Sequence, residues 1–121
     1  MKVVMDTNFL VYLVKYNIFQ QMEQPGIELI VPSAVIKELE RLSEREKKAS
    51  DRDAAKFALF IIYKTNIRIV KTEKSGDEAV LDVAIKENAE LATLDYELAR
   101  KASARRIKVI ELRQKKYVSF K

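Results

Sequence analysis

Short apolar segments of strand length alternate with segments of helical period along this chain, and that alternation limits its fold more than any other feature. Residues 2–5 form an apolar strand, and Phe9, Leu10, Leu13 and Val14 recur at helical spacing within residues 7–16. Pro25-Gly26 punctuates the chain, residues 28–31 read as a second strand, and Pro32-Ser33 opens a helix carrying Val35, Leu39 and Leu42. After the charged stretch 44–48, Ser50 with Asp53 resembles a cap for a helix over 54–63, and Ile67, Ile69 and Val70 supply a third strand. Ser75-Gly76-Asp77-Glu78 has capping-box spacing ahead of a helix expected to bury Val80, Leu81, Ala84 and Ile85. A strand over 91–94, a helix from Asp95, a strand over 108–112 and a short edge strand over 117–120 complete the series.

Such alternation with short connections predicts an α/β domain with a central, mostly parallel sheet of about five strands and helices on both faces. With 48% apolar and 34% charged residues, the 121 residues can bury one core beneath a solvated surface, so they read as a single domain. The longest apolar run, 57–63, is far below the ~20 residues of a membrane span. Asp6 interrupts the apolar start before a signal-peptide core forms, so a soluble, cytoplasmic protein is expected.

Two absences narrow the chemistry. The chain has no cysteine and no histidine, which excludes thiol nucleophiles, Ser-His-Asp triads, imidazole acid-base catalysis and Cys/His zinc sites. Carboxylates remain. In an open parallel sheet ligands collect at the carboxyl ends of the strands, and Asp6 and Asp95 each stand just after a strand and just before a helix. Either acid is also a natural helix cap. Glu38 flanks the Val35, Leu39, Leu42 face, where periodicity favours an apolar residue. Asp77 heads the Val80, Leu81, Ala84 stripe and doubles as a first-turn acid favoured by the helix dipole. Asp82 points away from that stripe and reads as surface, and Glu78 belongs to the capping box.

Converging carboxylates repel by roughly 4 kcal/mol per pair at ~4 Å and an effective dielectric of 20, so such a cluster persists with a cation or by taking up protons. Oxygen-only donors select a hard ion, Mg²⁺ or Mn²⁺, which activates water and stabilises charge on phosphodiester oxygens.

The charge of the chain is uneven. Residues 100–121 hold nine Lys/Arg against one acid, net +8, whereas residues 1–99 carry net −3. Arg105, Arg106, Arg113, Lys115 and Lys116, with Tyr117 and Phe120 close by, suit contact with RNA phosphates and bases, although a solvated basic surface is the plainer alternative.

Asp6-Thr7-Asn8 after the first strand, Pro32-Ser33 followed by Glu38-Leu39, Gly76-Asp77 ahead of an apolar helix, and Ala92-Thr93-Leu94-Asp95 together resemble the four acidic motifs of the PIN-domain nucleases. The likeness runs from Met1 to about Leu112, and Leu112-Arg-Gln-Lys-Lys-Tyr117 is similar to the ending of small archaeal members. Each motif alone is weak, but their order and spacing are specific. The resemblance implies a three-layer α/β/α PIN-like fold and metal-dependent hydrolysis of RNA at Asp6, Glu38, Asp77 and Asp95, with Asp6 and Asp95 nearest the metal. It also implies that Asn8, Ser33 and Thr93 are polar supports of the carboxylates, Ser33 being equally readable as a plain helix cap. One departure is Leu94, where many members have Asn.

Within the family two branches compete. Toxin members pair with a small antitoxin, and others resemble the nuclease that trims ribosomal RNA alongside ribosome-assembly factors; the basic C-terminus leans toward RNA processing. A non-catalytic RNA-binding module is the alternative, disfavoured because a pure binder has no reason to gather negative charge where phosphates approach. A phospho-acceptor domain is disfavoured because the third strand ends without an acceptor Asp. By resemblance, Phe57, Phe60 and Ile61 extend across a homodimer interface.

Overall fold

The computed structural model describes the backbone of residues 1–113 and 116–120 and, Arg113 apart, their side chains. In chain order the elements are β1 (Lys2–Met5), α1 (Thr7–Lys15), a 3₁₀ turn (Phe19–Met22), β2 (Glu28–Pro32), α2 (Ser33–Arg45), α3 (Ala49–Lys64), β3 (Arg68–Val70), α4 (Gly76–Glu87), β4 (Glu90–Ala92), α5 (Tyr96–Ala104), β5 (Val109–Arg113) and β6 (Tyr117–Ser119). The six strands form one sheet in the order β3-β2-β1-β4-β5-β6, parallel except for β6, which runs antiparallel to β5. Val3, Val4 and Met5 on β1, Ile30 and Val31 on β2, and Leu91 and Ala92 on β4 are fully buried. Continuous apolar strands of this kind need helices on both faces, and each such aliphatic side chain contributes roughly 1.5–3 kcal/mol on burial.

The order of strands sets the position of the site. From β1 the chain crosses to β2 and β3 on one side, then returns through α4 to β4 and continues to β5 on the other. The sheet therefore has its topological switch point between β1 and β4, where two adjacent strands lead away in opposite directions and leave a crevice at their carboxyl ends. Asp6 follows one of those strands and Asp95 the other.

Local expectations fail in three places. α3 begins at Ala49, so Ser50 and Asp53 lie inside it and its cap residue, Lys48, makes no side-chain capping bond. Its first turn is held instead by Asp51, which accepts a 2.8 Å hydrogen bond from Lys15 of α1, and by Arg52, which donates to the backbone oxygens of Glu46 and Lys47. Ser75 makes no side-chain capping bond, and Glu78 turns to Arg105, 3.5 Å away, rather than back to the cap. Ile85 is 54% exposed, its expected core place being taken by Ala79 and Val83. In the first two cases a tertiary partner outcompetes the local pattern.

Candidate functional site

Asp6 and Thr93 are the two buried polar residues among the described ones, at 8% and 6% exposure. Strand register explains their meeting. Met5 of β1 pairs with Ala92 of β4, and the Asp6 backbone N–H donates to Ala92 O, so the next residues of the two strands stand side by side. The Thr93 hydroxyl donates to Asp6 Oδ2. The Phe9 backbone N–H donates to Asp6 Oδ1 at 2.9 Å, so this carboxylate caps α1 and faces the switch point at once. Burial pushes the Asp6 carboxyl above its ordinary value; the Thr93 and Phe9 donors oppose that rise, and the charges of Asp95 and Asp77 add to it.

Asp95 is exposed and caps α5, its Oδ1 accepting from the backbone N–H groups of Glu97 (2.8 Å) and Leu98 (3.1 Å). Its own backbone N–H donates to Thr93 Oγ1 at 3.0 Å. One threonine hydroxyl thus joins the two strand-end acids. The side chain of Leu94 offers no hydrogen bond to Asp95, and backbone amides at the start of α5 hold it instead.

Asp77 enters from the first turn of α4, after Gly76, whose φ of +60° is open to glycine at little cost and strained for other residues. The preceding loop is clipped to α2: Ser33 Oγ accepts from Thr72 N at 2.9 Å and donates to Thr72 O at 3.3 Å. Ser33 is therefore neither the cap of α2, which is Pro32, nor bonded to a carboxylate; it fixes the loop that delivers Asp77. Lys101 Nζ lies 3.5 Å from Asp77 Oδ2. Glu38, on α2, forms an ion pair with Arg41. All four acids, with the exposed Asn8, line a single cleft of about 200 Å³.

Among the described residues no group of three or more acids is placed to hold one cation between them. Magnesium does not require such a cage, since it is commonly held by one or two carboxylates plus waters and phosphate oxygens. Asp6 and Asp95 fit that demand: the donors are all oxygen, the pair is pre-positioned by Thr93, and their mutual repulsion favours a cation.

Cations that the sequence reading did not single out flank the cleft. Lys37, Arg41 and Lys74 line a groove of about 340 Å³ that shares Ala34, Glu38 and Gly76 with it. Lys74 lies in the loop that Ser33 clips and pairs with Asp82 of α4 at 3.3 Å, contacts that no local signal marks. None of the described C-terminal basic residues lines the acidic cleft. Arg105 pairs with Glu78 and Arg106 adopts a left-handed turn (φ 62°) after the end of α5 remote from Asp95. Lys116 is exposed, and its backbone oxygen accepts from Gln21 in the 3₁₀ turn beyond the far end of α1 from Asp6. The side chain of Arg113 and the whole of Lys115 lie outside the described residues.

A family model described as a PIN like domain matches residues 3–115. Ribonuclease VapC4 of Methanocaldococcus jannaschii is 37% identical over 124 residues, which cover 96% of this chain and 93% of that protein. Ribonuclease VapC9 of Archaeoglobus fulgidus is 36% identical over 118 residues, covering 95% and 85%. Among solved structures, VapBC2 from Rickettsia felis, bound to a DNA fragment from their promoter, superposes with a TM-score of 0.64 at 17% identity, over 90% of this chain and 97% of that one, a likeness of fold. The motif order, the switch-point crevice and these matches agree, and the chain belongs to the PIN-like domain family.

Proposed function

We propose that this protein is an endoribonuclease that hydrolyses RNA phosphodiester bonds at the cleft of Asp6, Glu38, Asp77 and Asp95, and that it is the toxin of a toxin–antitoxin pair. The observation that carries the reading is the gathering of all four acids in one cleft at the sheet's switch point. Relatives named as VapC ribonucleases, matched along nearly their whole length, favour the toxin branch over the ribosomal-RNA-processing branch toward which the basic C-terminus leaned. A small cognate antitoxin is the protein partner this reading implies, and the VapBC2 likeness supports it.

Asp6 and Asp95 would hold Mg²⁺ or Mn²⁺, which when bound supplies Lewis acidity at the scissile phosphodiester. The chain's own residues do the rest. Thr93 fixes Asp6 and the start of α5 in one arrangement. Asp77, held near Lys101, and Glu38, held near Arg41, are the groups available to accept a proton or orient water. Purified protein should cut single-stranded or loop RNA in Mg²⁺ or Mn²⁺ and lose at least about a hundredfold of its rate in EDTA. Absence of cleavage by folded protein across a broad RNA set would leave a binding module as the better reading.

Phosphates beside the scissile one have Lys37, Arg41 and Lys74 at hand, and the C-terminal residues Arg105, Arg106, Arg113, Lys115 and Lys116 are a second group of candidate phosphate contacts. Replacing Lys37 and Lys74 together with Ser should flatten the salt dependence of RNA binding by about 1.4 units of slope, near 0.7 per single-strand contact. Replacing Arg113, Lys115 and Lys116 should change it less. The reverse order would put the RNA on the C-terminal block. No helix among the described residues is long and apolar enough to cross a membrane, and a cytoplasmic location suits this role. Phe57 and Phe60 stack on each other at 5.9 Å on the outer face of α3, each 54% exposed, which supports a homodimer through that face; Ile61 packs toward the core.

A further inference from the structure

Next to the acidic cleft, between α5 and β5, runs a second groove of about 560 Å³. Asp95 lines both. The groove is bordered by Leu94, Tyr96 and Val109 and carries Arg100 and Ser103. Tyr96, the first residue of α5, is 80% exposed, and Leu94 is 41% exposed. Two ring pairs occur, Tyr12 with Tyr16 and Phe57 with Phe60, and among the described residues Tyr96 stacks on no other ring. An aromatic ring left in water one residue from a strand-end carboxylate makes no contribution to the core.

We propose that this groove is a nucleobase subsite, in which Tyr96 stacks on a base of single-stranded RNA next to the phosphodiester at the acids; the proposal rests on the ribonuclease reading above. The occupant follows from continuity and charge. A strand with a phosphate at Asp95 carries its next base within one nucleotide of that residue, and Tyr96 is its immediate neighbour in the chain. Arg100 lines the groove and pairs with Glu97 while its side chain stays exposed, so it offers positive charge to a flanking phosphate, although Glu111 lines the groove too. Every base has a π-face, so the contact adds affinity without demanding a sequence, and the exposed Leu94 at the rim extends the apolar border.

The test compares a short single-stranded RNA with an abasic phosphodiester strand of equal length and charge, each titrated by fluorescence anisotropy in EDTA at fixed ionic strength. Tyr96→Ala should weaken binding of the base-bearing strand about tenfold and leave the abasic strand within about twofold, while Tyr96→Phe keeps both. In Mg²⁺, Tyr96→Ala should raise KM by a similar factor with kcat little changed. Unchanged RNA binding by Tyr96→Ala, while the unmutated protein binds and cuts RNA, overturns the subsite and spares the ribonuclease reading. Equal weakening of both strands also overturns it, since the loss would then not concern a base. If Tyr96→Ala spares RNA but releases a copurifying protein partner, the groove docks protein and the subsite is wrong. An unmutated protein that neither binds nor cuts RNA sinks both readings together.

Discussion

Asp6→Asn should lower RNA cleavage at least about a thousandfold, roughly 4 kcal/mol of transition-state stabilisation, while leaving the metal-free protein as stable as before or more so at neutral pH. The pairing of these two results follows from where Asp6 sits. Its carboxylate is buried beside Asp95 and Asp77, and its folded-state value is raised, first by burial. For a carboxyl raised in the fold, the folded state binds more protons than the unfolded chain between the two values. Its contribution to stability is therefore fully present below the unfolded value of about 3.9 and is lost as pH rises through the folded one. Ionising Asp6 in the fold carries a cost that asparagine does not incur. Asparagine also caps a helix about as well, so the bond from Phe9 survives in kind. Melting curves in EDTA between about pH 4 and 8 should show the variant's stability flatter with pH than the unmutated protein's. Added Mg²⁺ at fixed ionic strength should raise the melting temperature of the unmutated protein, by about 2.7 kcal/mol of stability at a hundredfold excess over Kd, and that of the variant much less. If Mg²⁺ moves both curves equally, or neither, Asp6 is not a metal ligand.

The second large effect is expected at Thr93, a residue that touches no solvent-exposed chemistry of its own. Thr93→Val keeps shape and removes the hydroxyl that donates to Asp6 and accepts from the Asp95 N–H. Activity should fall about ten- to hundredfold, the usual cost of losing a group that orients a metal-binding side chain. Stability at neutral pH should fall by about 2 kcal/mol, because a buried carboxylate loses a donor and a backbone N–H loses its acceptor. That corresponds to a Tm lower by roughly 8 °C for a chain of this size. The sign of the pH effect discriminates this account from simple loss of packing. The Thr93 bond lowers the Asp6 value, so removing it raises that value further. The acidic limb of the pH–rate profile should then move to higher pH, and the stability deficit should shrink as pH falls toward the unfolded value. Thr93→Ser restores the hydroxyl and should recover most of the activity and the position of that limb. A serine variant indistinguishable from valine would mean that the methyl group, not the hydroxyl, matters.

Much of this molecule could be read along the chain. The strands and helices lie near where periodicity puts them, with β1 at Lys2–Met5 as expected and β2 longer by one residue. The short edge strand is present as β6, and the sheet has six strands where about five were expected. Asp6 and Asp95 stand out because a carboxylate between a strand and a helix is a local event, recorded by neighbours in sequence. The cap and site roles weighed against each other at these residues turn out to share one side chain, each acid having one oxygen committed to helix amides.

What the sequence by itself determined is the one-dimensional part: the order of elements, the apolar faces and the arrival of two acids at strand ends. Tertiary structure alone decided which strands became neighbours. Pairing β4 against β1 joins Thr93 to Asp6 across 87 positions of sequence, and shifting that register by one residue would turn their side chains to opposite faces of the sheet. It also decided that Ser33 holds the loop bearing Lys74 and Asp77, that Glu78 turns to Arg105, and that Ile85 and Tyr96 face water. Periodicity reports how a residue sits on its own element, whereas these contacts depend on the packing of elements far apart in the chain, which leaves no repeating mark in the sequence.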